Sequence, residues 1–576
     1  MPTAPNAIFE RRFARHLWRL TRIYWTSPDR GKGLGLLLLC IAGELGTVYG
    51  NVKLAGAQAR VFDAVQNKQA SAFLDAMQVF LAIALMVVFV STYRIYVRNI
   101  LQIRWREHLT DHFLGKWIGP QAYWHRELHH KETDNPDQRI SEDVQSYVAS
   151  ALGLSLSLLT AVATLISFGG VLWQLSGQWP LHIGEHDLHI PGLMMWVAII
   201  YALTSTWLTN LVGRSLVSIN FNRLRFEADF RYGLVRFRDH VEEVALSRGD
   251  SVERQGALTR FRSIVGNWWA LITAQRNLTL LTSGIGQANG IVPLLVAAPA
   301  FFAGRMTLGQ LTETGVAYGQ VSGALSWFVD AYQEIANWRA SIERLAVFND
   351  LLDSTRRDVA ALDGIKVERD AAPRLHLEQL ALRQTDGTEI ASGIDATVGA
   401  GERVAMLGSA GLLKATLFRA IAGIWPFGSG RVVLPAEARS IYLPSRPYLP
   451  IGTLREAIVY PADPMKFSDD EVRRALTAVG LEHLAPRMDD SEQWDQQLPT
   501  DEQVRLTIAR AILHEPDYVV LDDATANLDE ALEARVYQAL KERLPDSAIL
   551  SLTTRPAVAA YHSRRLSLQG TPLPAT

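Results

Sequence analysis

Cysteine is nearly absent from this sequence, which has one cysteine among 576 residues. Cys40 therefore cannot form a disulfide bond within the chain, and this excludes a small disulfide-stabilised scaffold. A large net charge is also missing, because the formal charge is only −2, and we expect no nucleic-acid partner. The N-terminus lacks an apolar core followed by a small-residue cleavage site, so we expect no cleavable signal peptide.

Long apolar stretches, by contrast, are abundant. Hydrophobic residues make up 48% of the chain and charged residues 20%, a mixture typical of a protein that is part membrane-spanning and part soluble. Six stretches reach the length of about 20 residues that a membrane-spanning helix needs. They are 33–55, 73–96, 151–176, 191–213, 277–304 and 307–331, of which the last is the more polar. The sequence predicts a bundle of six transmembrane helices.

Basic residues indicate how this bundle is oriented. Arginines are frequent before the first stretch and in the long connections after the second and fourth, whereas residues 179–189 contain no Lys or Arg. Because positive charge is retained on the cytoplasmic side, both termini and both long connections are predicted to be cytoplasmic. Segment 8–26 spaces Phe13, Leu17 and Leu20 on one helical face between arginines. It is predicted to be an amphipathic helix that lies along the inner membrane face or packs on the protein.

Ionisable residues within the apolar stretches are candidates for a transport pathway. Glu44 lies near the middle of the first stretch and Asp330 in the last, with Glu313 and Glu334 nearby. Such groups are costly in a membrane and usually face a cavity or a partner, so Glu44 and Asp330 could bind a cationic solute or relay protons. A structural ion pair or a position at the water interface is the alternative for Glu44, and is favoured for Glu313 and Glu334. For the outer connection, a solvated loop is favoured over a metal site at His182, Glu185, His186 and His189.

Composition divides the chain into four parts. Residues 1–30 hold the amphipathic helix, 31–345 the membrane helices, 346–373 a polar linker, and 374–576 a soluble domain. In that last part strand-like runs at 375–382, 404–407 and 518–521 alternate with helical patterns, which is typical of an α/β fold with buried parallel strands. The predicted fold class is a membrane α-helical bundle fused to an α/β P-loop domain.

A candidate phosphate-binding loop follows the run 404–407. It reads Gly408-Ser-Ala-Gly411-Leu-Leu-Lys414-Ala-Thr416 and matches a P-loop, whose backbone N–H groups and helix N-terminus converge on phosphate oxygens. Lys414 would reach the β- and γ-phosphates of ATP. Leu413 replaces the usual glycine, which predicts a strained loop or a crowded phosphate. Ala415 replaces the hydroxyl that binds Mg²⁺, although Thr416 keeps the next hydroxyl.

A second candidate site follows the apolar run 518–521. Paired carboxylates, Asp522 and Asp523, end this run. Asp522 is placed to hold Mg²⁺, and Asp523 to polarise the water that attacks the γ-phosphate. A carboxylate pair alone is weak evidence, but together with the P-loop it predicts a nucleotide-binding domain.

These segments resemble the ATP-binding cassette (ABC) transporters, in the branch of the peroxisomal fatty-acyl half-transporters and the bacterial SbmA/BacA-type transporters. Similar segments extend over nearly the whole chain: 135–143, 230–238, 336–345, 418–426 and 443–456. The resemblance implies a half-transporter that forms a homodimer, or a heterodimer with an intact half-transporter, around two ATP molecules with Mg²⁺. It further implies a peptide or small hydrophilic substrate, of the antimicrobial-peptide or cobalamin-like class, and a bacterial inner membrane with the cassette in the cytoplasm.

The chain departs from that family's pattern around the γ-phosphate. Ser445 stands where the family has the glutamine that senses metal and phosphate, and Thr554 where it has the switch histidine. Asp523 replaces the catalytic glutamate, and a misplacement of about 1 Å can cost roughly 100-fold in rate. Asp529 is retained.

The signature sequence Leu-Ser-x-Gly-Glu-Gln is also altered, since residues 498–503 read Leu-Pro-Thr-Asp-Glu-Gln. Pro499 replaces the serine that bonds the opposite γ-phosphate. Asp501 replaces the glycine and would repel that phosphate by roughly 4 kcal/mol at a separation of ~4 Å and an effective dielectric constant near 20.

These substitutions predict weak nucleotide binding and very slow hydrolysis, because phosphoryl transfer depends on positioning and charge stabilisation. Compensation by neighbouring residues, with full activity, is the alternative. Two further alternatives use the cassette only as a scaffold. One is a proton-coupled, SbmA-like peptide transporter acting through Glu44 or Asp330, and the other is a membrane regulator.

Overall fold

The computed structural model describes residues 5–119, 124, 135–176, 180–183, 186–361, 364–370, 374–408 and 411–567. The chain forms two compact units. The first comprises Met1–Leu114 and Asn135–Asn349, and the second comprises Gly115–Asp134 and Asp350–Thr576. The first unit is largely helical, and the second contains three β-sheets, of five, four and two strands.

The helices of the first unit include several that are far longer than a bilayer requires. A short helical lead-in, Pro136–Gln138 and Arg139–Asp143, precedes α4. The helices are α1 (Pro5–Trp25), α2 (Arg30–Gln66), α3 (Ala70–Trp117), α4 (Val144–Ser176), α5 (Leu193–Gly213), α6 (Ser215–Asp239), α7 (Val241–Leu246), α8 (Asp250–Phe302) and α9 (Leu308–Ala361).

Five helical segments of the described residues are long and apolar enough to cross a membrane. They are Arg30–Gln66, Ala70–Trp117, Pro136–Ser176, Leu193–Gly213 and Asp250–Phe302. The sixth predicted span, 307–331, lies in α9 and does not reach the same hydropathy. Part of its apolar surface is buried against other helices, since Tyr318 and Val321 share a cluster with Phe168 and Met194, although Phe328 is 69% exposed. A helix that packs mainly on protein does not need the composition of a lipid-facing helix.

The segment predicted as an amphipathic helix, 8–26, falls on α1. Its residues Leu20 and Tyr24 are buried, and the Tyr24 ring stacks on Trp105 of α3 with the ring centroids 5.6 Å apart. A Cβ atom at Gly33 would lie only 2.8 Å from the Tyr24 hydroxyl oxygen. Glycine therefore permits the close approach between the end of α1 and the start of α2.

The outer histidine cluster falls on a two-stranded antiparallel hairpin of β1 (Pro180–Ile183) and β2 (His186–His189). Glu185 and the side chains of His182, His186 and His189 lie outside the described part of the chain. Over the residues that are described, no group of His, Cys, Asp and Glu side chains could hold a metal ion.

The second unit is an α/β domain with one parallel sheet and one mainly antiparallel sheet. The strands are β3 (Lys366–Asp370), β4 (Arg374–Arg383), β5 (Glu389–Gly399), β6 (Arg403–Leu407), β7 (Gly428–Pro435), β8 (Ser440–Leu443), β9 (Gly452–Thr453), β10 (Ser491–Glu492), β11 (Tyr518–Asp522), β12 (Ala548–Thr553) and β13 (Arg564–Ser567). The parallel sheet has the order β13-β6-β12-β11-β8, and the mainly antiparallel sheet has the order β3-β7-β4-β5. β9 and β10 form a separate two-stranded antiparallel sheet.

The helices of this unit cover the sheets and bury two hydrophobic clusters. They are α10 (Gly411–Ile421), α11 (Leu454–Val459), α12 (Asp469–Ala478), α13 (Trp494–Gln497), α14 (Thr500–His514) and α15 (Glu530–Arg543). As predicted, β11 is a buried parallel strand, paired with β12 and β8. Its carboxyl end and that of β6 therefore lie at the same edge of the sheet, which brings the P-loop close to the paired carboxylates.

The segment predicted as a linker, 346–373, contains regular structure. Helix α9 continues through it to Ala361, and β3 pairs in parallel with β7. The second unit also includes part of the connection after α3. There the indole Nε1 of Trp124 donates a hydrogen bond to the Ile424 carbonyl oxygen at 2.7 Å, and the Arg419 guanidinium lies 5.2 Å from the Trp124 ring centroid.

Candidate functional site

The P-loop connects β6, which lies between β13 and β12 in the parallel sheet, to α10. The Gly408 N–H donates to the Thr553 carbonyl oxygen at 3.3 Å, and α10 begins at Gly411, where an added Cβ would meet no atom within 4 Å. Ser409 and Ala410 lie outside the described residues. The loop thus ends at the N-terminus of an 11-residue helix, the backbone arrangement that binds phosphate.

The strain predicted at Leu413 is not found. Leu413 lies within α10, and it is not among the described non-glycine residues with a positive φ. Its side chain is 2% exposed and belongs to the hydrophobic cluster beneath the loop. The leucine therefore points into the core rather than toward the phosphate position, and it stabilises the domain.

Lys414 contacts the carboxylate that was predicted to act as the base. Its Nζ donates to Oδ2 of Asp523, and the lysine is almost completely buried. The other carboxylate oxygen, Oδ1, accepts a hydrogen bond from the Thr554 N–H at 3.2 Å. The φ angle of Asp523 is 44°, a left-handed conformation that costs a non-glycine residue about 1–3 kcal/mol and is concentrated at functional sites.

Asp522, the predicted magnesium ligand, lies at the end of β11 beside this ion pair. Burial raises the pKa of its carboxyl group, and the negative charge of Asp523 raises it further, while Lys414 and Arg419 act in the opposite direction. A proton therefore competes with a metal ion for Asp522 more strongly than at an exposed aspartate.

The residues present fit the phosphate groups of ATP better than they fit Mg²⁺. A helix N-terminus and the buried Lys414 are both in place for phosphate. On the metal side, Ala415 has no hydroxyl, and Thr416 is fully buried with an Oγ1 that has no hydrogen-bond partner within the described residues. Thr416 therefore does not replace the missing ligand. Bound nucleotide would supply the reacting phosphate groups, with Asp522 as the carboxylate that can hold the metal.

The negative charge that Asp501 introduces into the altered signature is neutralised within helix α14. Pro499 precedes α14, and the Asp501 carboxylate accepts a hydrogen bond from the Arg505 guanidinium at 2.8 Å. The Arg505 side chain is 9% exposed and also donates to the Gly480 carbonyl oxygen at 2.9 Å. The negative charge predicted for this position is thus compensated. Sequence reasoning missed Arg505, although the i, i+4 spacing of Asp501 and Arg505 on a helix could have indicated the pair.

The remaining predicted cassette residues have different surroundings. Asp529 caps α15, since its Oδ1 accepts the Leu532 N–H at 2.7 Å. Ser445 and Thr554 have exposed side chains. A further pair that the sequence did not indicate connects the cassette's last helix to the switch segment: the Arg555 guanidinium donates to the buried Glu533 carboxylate at 2.6 Å.

The candidate transport residues of the first unit are also unlike each other. Glu44 is buried, forms an ion pair with Arg94 of α3, and accepts a hydrogen bond from the Thr160 hydroxyl of α4 at 2.7 Å. Of the predicted alternatives for Glu44, the structural ion pair is the one observed. Asp330 is exposed in the single chain.

Comparisons with known proteins agree with this architecture. Residues 20–302 match the family described as ABC transporter transmembrane region 2, and residues 391–526 match the ABC transporter family. An uncharacterized ABC transporter ATP-binding protein of Synechocystis is 32% identical over 93% of this chain and 80% of its own length. The inner membrane ABC transporter ATP-binding protein YddA of Escherichia coli is 29% identical over 94% of each chain. The lysosomal cobalamin transporter ABCD4 of Mus musculus is 24% identical over 82% of this chain and 81% of its own.

Proposed function

This chain belongs to the ABC transporter family, in the form that fuses a membrane region to an ATP-binding cassette, and we propose that it moves a hydrophilic or peptide-like solute by alternating access with very slow ATP hydrolysis. The membrane is the bacterial inner membrane, as the name of the YddA relative states for that protein. Both termini and the cassette face the cytoplasm, in keeping with the distribution of basic residues. The solute is of the antimicrobial-peptide or cobalamin-like class, the second of which is supported by the name of the relative ABCD4, a lysosomal cobalamin transporter.

The contact between Lys414 and Asp523 is the single observation that carries the proposal of slow hydrolysis. A base must be free to accept a proton from the attacking water, and the P-loop lysine must be free to hold the phosphates. In this chain the two groups neutralise each other. Nucleotide has to break this contact before it can bind, and Asp523, one methylene shorter than glutamate, then reaches less far toward the water.

The other substitutions act on the same reaction. Ala415 supplies no metal ligand, Ser445 is too short to sense the γ-phosphate as glutamine would, and Thr554 cannot take the role of a histidine. Pro499 lacks the hydroxyl that would bond the γ-phosphate across a dimer. Catalysis by positioning fails when several positioning groups are lost together. We therefore infer weak binding of ATP and Mg²⁺ by a homodimer, or by a heterodimer in which an intact half-transporter supplies the working site.

ATPase measurements on the purified full-length dimer in lipid nanodiscs test this proposal. Three proteins are compared: the unmodified chain, the Lys414→Ala variant as the background, and a variant that carries Ala415→Ser, Ser445→Gln, Pro499→Ser, Asp501→Gly, Asp523→Glu and Thr554→His. Leu413 is left in place because it belongs to the core. We expect the unmodified chain to be close to background and the restored variant to be at least about 100-fold faster. Brisk turnover by the unmodified chain, equal to that of the restored variant, would contradict the proposal.

Uptake into sealed vesicles tests the energy source. Uptake that requires ATP and is lost in Lys414→Ala supports a transporter in which slow hydrolysis still drives alternation. Uptake that follows a proton gradient without ATP would instead support the proton-coupled alternative, and nucleotide binding without any uptake would support a regulator.

A further inference from the structure

We propose that an anionic phospholipid binds in a slot between α1 and the membrane helices, with its acyl chain against tryptophan rings and its headgroup beside the α1 arginines. The slot has a volume of about 430 Å³, within the range of roughly 300–1,000 Å³ found for small-molecule sites. This inference concerns the membrane unit alone and does not depend on ATP hydrolysis.

The walls of the slot come from one face of each of several helices. The α1 face contributes Ala14, Leu17, Trp18, Thr21 and Trp25, and the α4 face contributes Ala151, Leu152, Ser155 and Leu156. Leu37, Trp105 and Trp338 complete the lining. The slot is thus mostly apolar and contains four indole rings. Tryptophan is enriched where a membrane meets water, because one part of the ring is apolar and its N–H is polar.

Two indole N–H groups in these walls lack an acceptor. Nε1 of Trp105 and Nε1 of Trp338 are buried and have no hydrogen-bond partner within the described residues. Trp105 as a whole is 4% exposed. A buried donor without an acceptor destabilises the structure, because it has lost its hydrogen bond to water without gaining another. An ester carbonyl or phosphate oxygen of a lipid would remove this cost, whereas a pure hydrocarbon would not.

The positive charge beside the slot points to the headgroup. Trp18 lines the slot, and Arg15 and Arg22 lie three residues before it and four residues after it on α1, so both are its neighbours on the helix surface. Both arginine side chains are exposed. Basic residues near a membrane surface attract anionic lipid.

The slot is also next to a surface that lipid would cover. Trp18 is 67% exposed and Leu38, beside Leu37 of the lining, is 65% exposed. α2, which carries Leu38, is one of the helices apolar enough to cross a membrane. An acyl chain can therefore enter from the hydrocarbon region, and the headgroup can stay beside the arginines. This combination of apolar slot, unpaired donors and arginines fits a phospholipid better than it fits a peptide.

Native mass spectrometry of the full-length dimer tests this inference. The protein is reconstituted in vesicles that contain equal amounts of phosphatidylglycerol and phosphatidylethanolamine with the same acyl chains, and is then extracted in mild detergent. We expect the unmodified protein to retain more phosphatidylglycerol than phosphatidylethanolamine. Ser155→Trp and Leu17→Trp each fill the slot, one from α4 and one from α1, and are expected to reduce lipid retention about tenfold, the equivalent of about 1.4 kcal/mol.

Matched variants distinguish binding of the acyl chain in the slot from recognition of the headgroup by the arginines. Leu158→Trp lies on α4 outside the slot lining and should retain lipid as the unmodified protein does. Arg15→Gln and Arg22→Gln should each reduce the preference for phosphatidylglycerol about fivefold, without loss of total lipid. Thermal unfolding of every variant checks that the fold is kept. Unchanged lipid retention in both slot-filling variants would overturn the site, and equal retention of the two lipids by the unmodified protein would overturn the anionic headgroup.

Discussion

A buried ion pair lies in each unit, and the two pairs differ in what can compete with them. Glu44 pairs with Arg94 in the membrane unit, where the Thr160 hydroxyl is its further partner. Lys414 pairs with Asp523 in the cassette, at the end of a P-loop. In lipid no water is present to take over either partner, so the first pair is expected to persist. In the cassette, phosphate oxygens compete for the lysine, so the second pair has to open for nucleotide to bind.

The comparison teaches that the same chemistry has opposite consequences in the two regions. For the membrane pair, loss of one partner leaves a charge without compensation among the helices. For the cassette pair, loss of Asp523 frees the lysine for its ligand. The two regions also differ in how apolar side chains are placed, because a membrane helix faces lipid and the cassette faces water. No residue in the most apolar part of α3 is buried, whereas the cassette gathers apolar side chains into two buried clusters.

The largest effect is expected from Glu44→Gln. This change leaves Arg94 unpaired between helices and should destabilise the protein by about 3–5 kcal/mol, as removal of one partner of a buried pair does. The double variant Glu44→Gln/Arg94→Gln should recover most of the loss. Thermal unfolding of the dimer in nanodiscs measures the stability of both variants. If Glu44→Gln is as stable as the double variant, the ion pair is not the reason why Glu44 is buried.

The next effect concerns nucleotide affinity in Asp523→Ala. Release of Lys414 should tighten ATP binding about tenfold, because hydrogen bonds to charged groups contribute about 1.5–3 kcal/mol. Hydrolysis should not rise. Titration calorimetry on the full-length dimer provides the affinity, and Lys414→Ala is the control that should lose binding. Weaker binding in Asp523→Ala would mean that Asp523 assists the ligand rather than competing with it.

A further prediction concerns how the contribution of Mg²⁺ to ATP affinity changes with pH. The pKa of Asp522 is raised by burial and by Asp523, and only the ionised carboxylate holds Mg²⁺. The contribution of Mg²⁺ to ATP affinity should therefore be lost, as the pH falls, at a higher pH than an ordinary aspartate would give. In Asp523→Ala the loss should move to lower pH, because one cause of the raised pKa is gone. Affinity measured across a pH series, with and without Mg²⁺, provides the test.

The smallest effect is expected from Asp501→Asn. Arg505 already compensates the negative charge, so ATP affinity of the dimer should change by less than about threefold, well under 1.4 kcal/mol. An uncompensated aspartate would instead give a gain that corresponds to roughly 4 kcal/mol of relieved repulsion. Binding of a fluorescent ATP analogue to the two dimers distinguishes these outcomes.

Several elements could be predicted because their signals are local. Helix α1 follows from apolar spacing between arginines, and β11 from an uninterrupted apolar run bounded by carboxylates. The sixth span was less apparent, because α9 packs on protein and its hydropathy is lower. Leu413 could not be judged from the motif alone, since the direction of its side chain depends on where α10 meets the core.

The sequence by itself determined that apolar helices are joined to a P-loop domain, because helical periodicity, apolar length and a glycine-bounded loop are properties of neighbouring residues. Only the tertiary structure decided which charges meet. Glu44 and Arg94 are 50 residues apart and Lys414 and Asp523 are 109 apart, so no local pattern connects them. Their pairing depends on how helices and strands pack. That packing places the Glu44–Arg94 pair among membrane helices, where it is expected to persist, and the Lys414–Asp523 pair at the P-loop, where a phosphate ligand must displace Asp523 from the lysine.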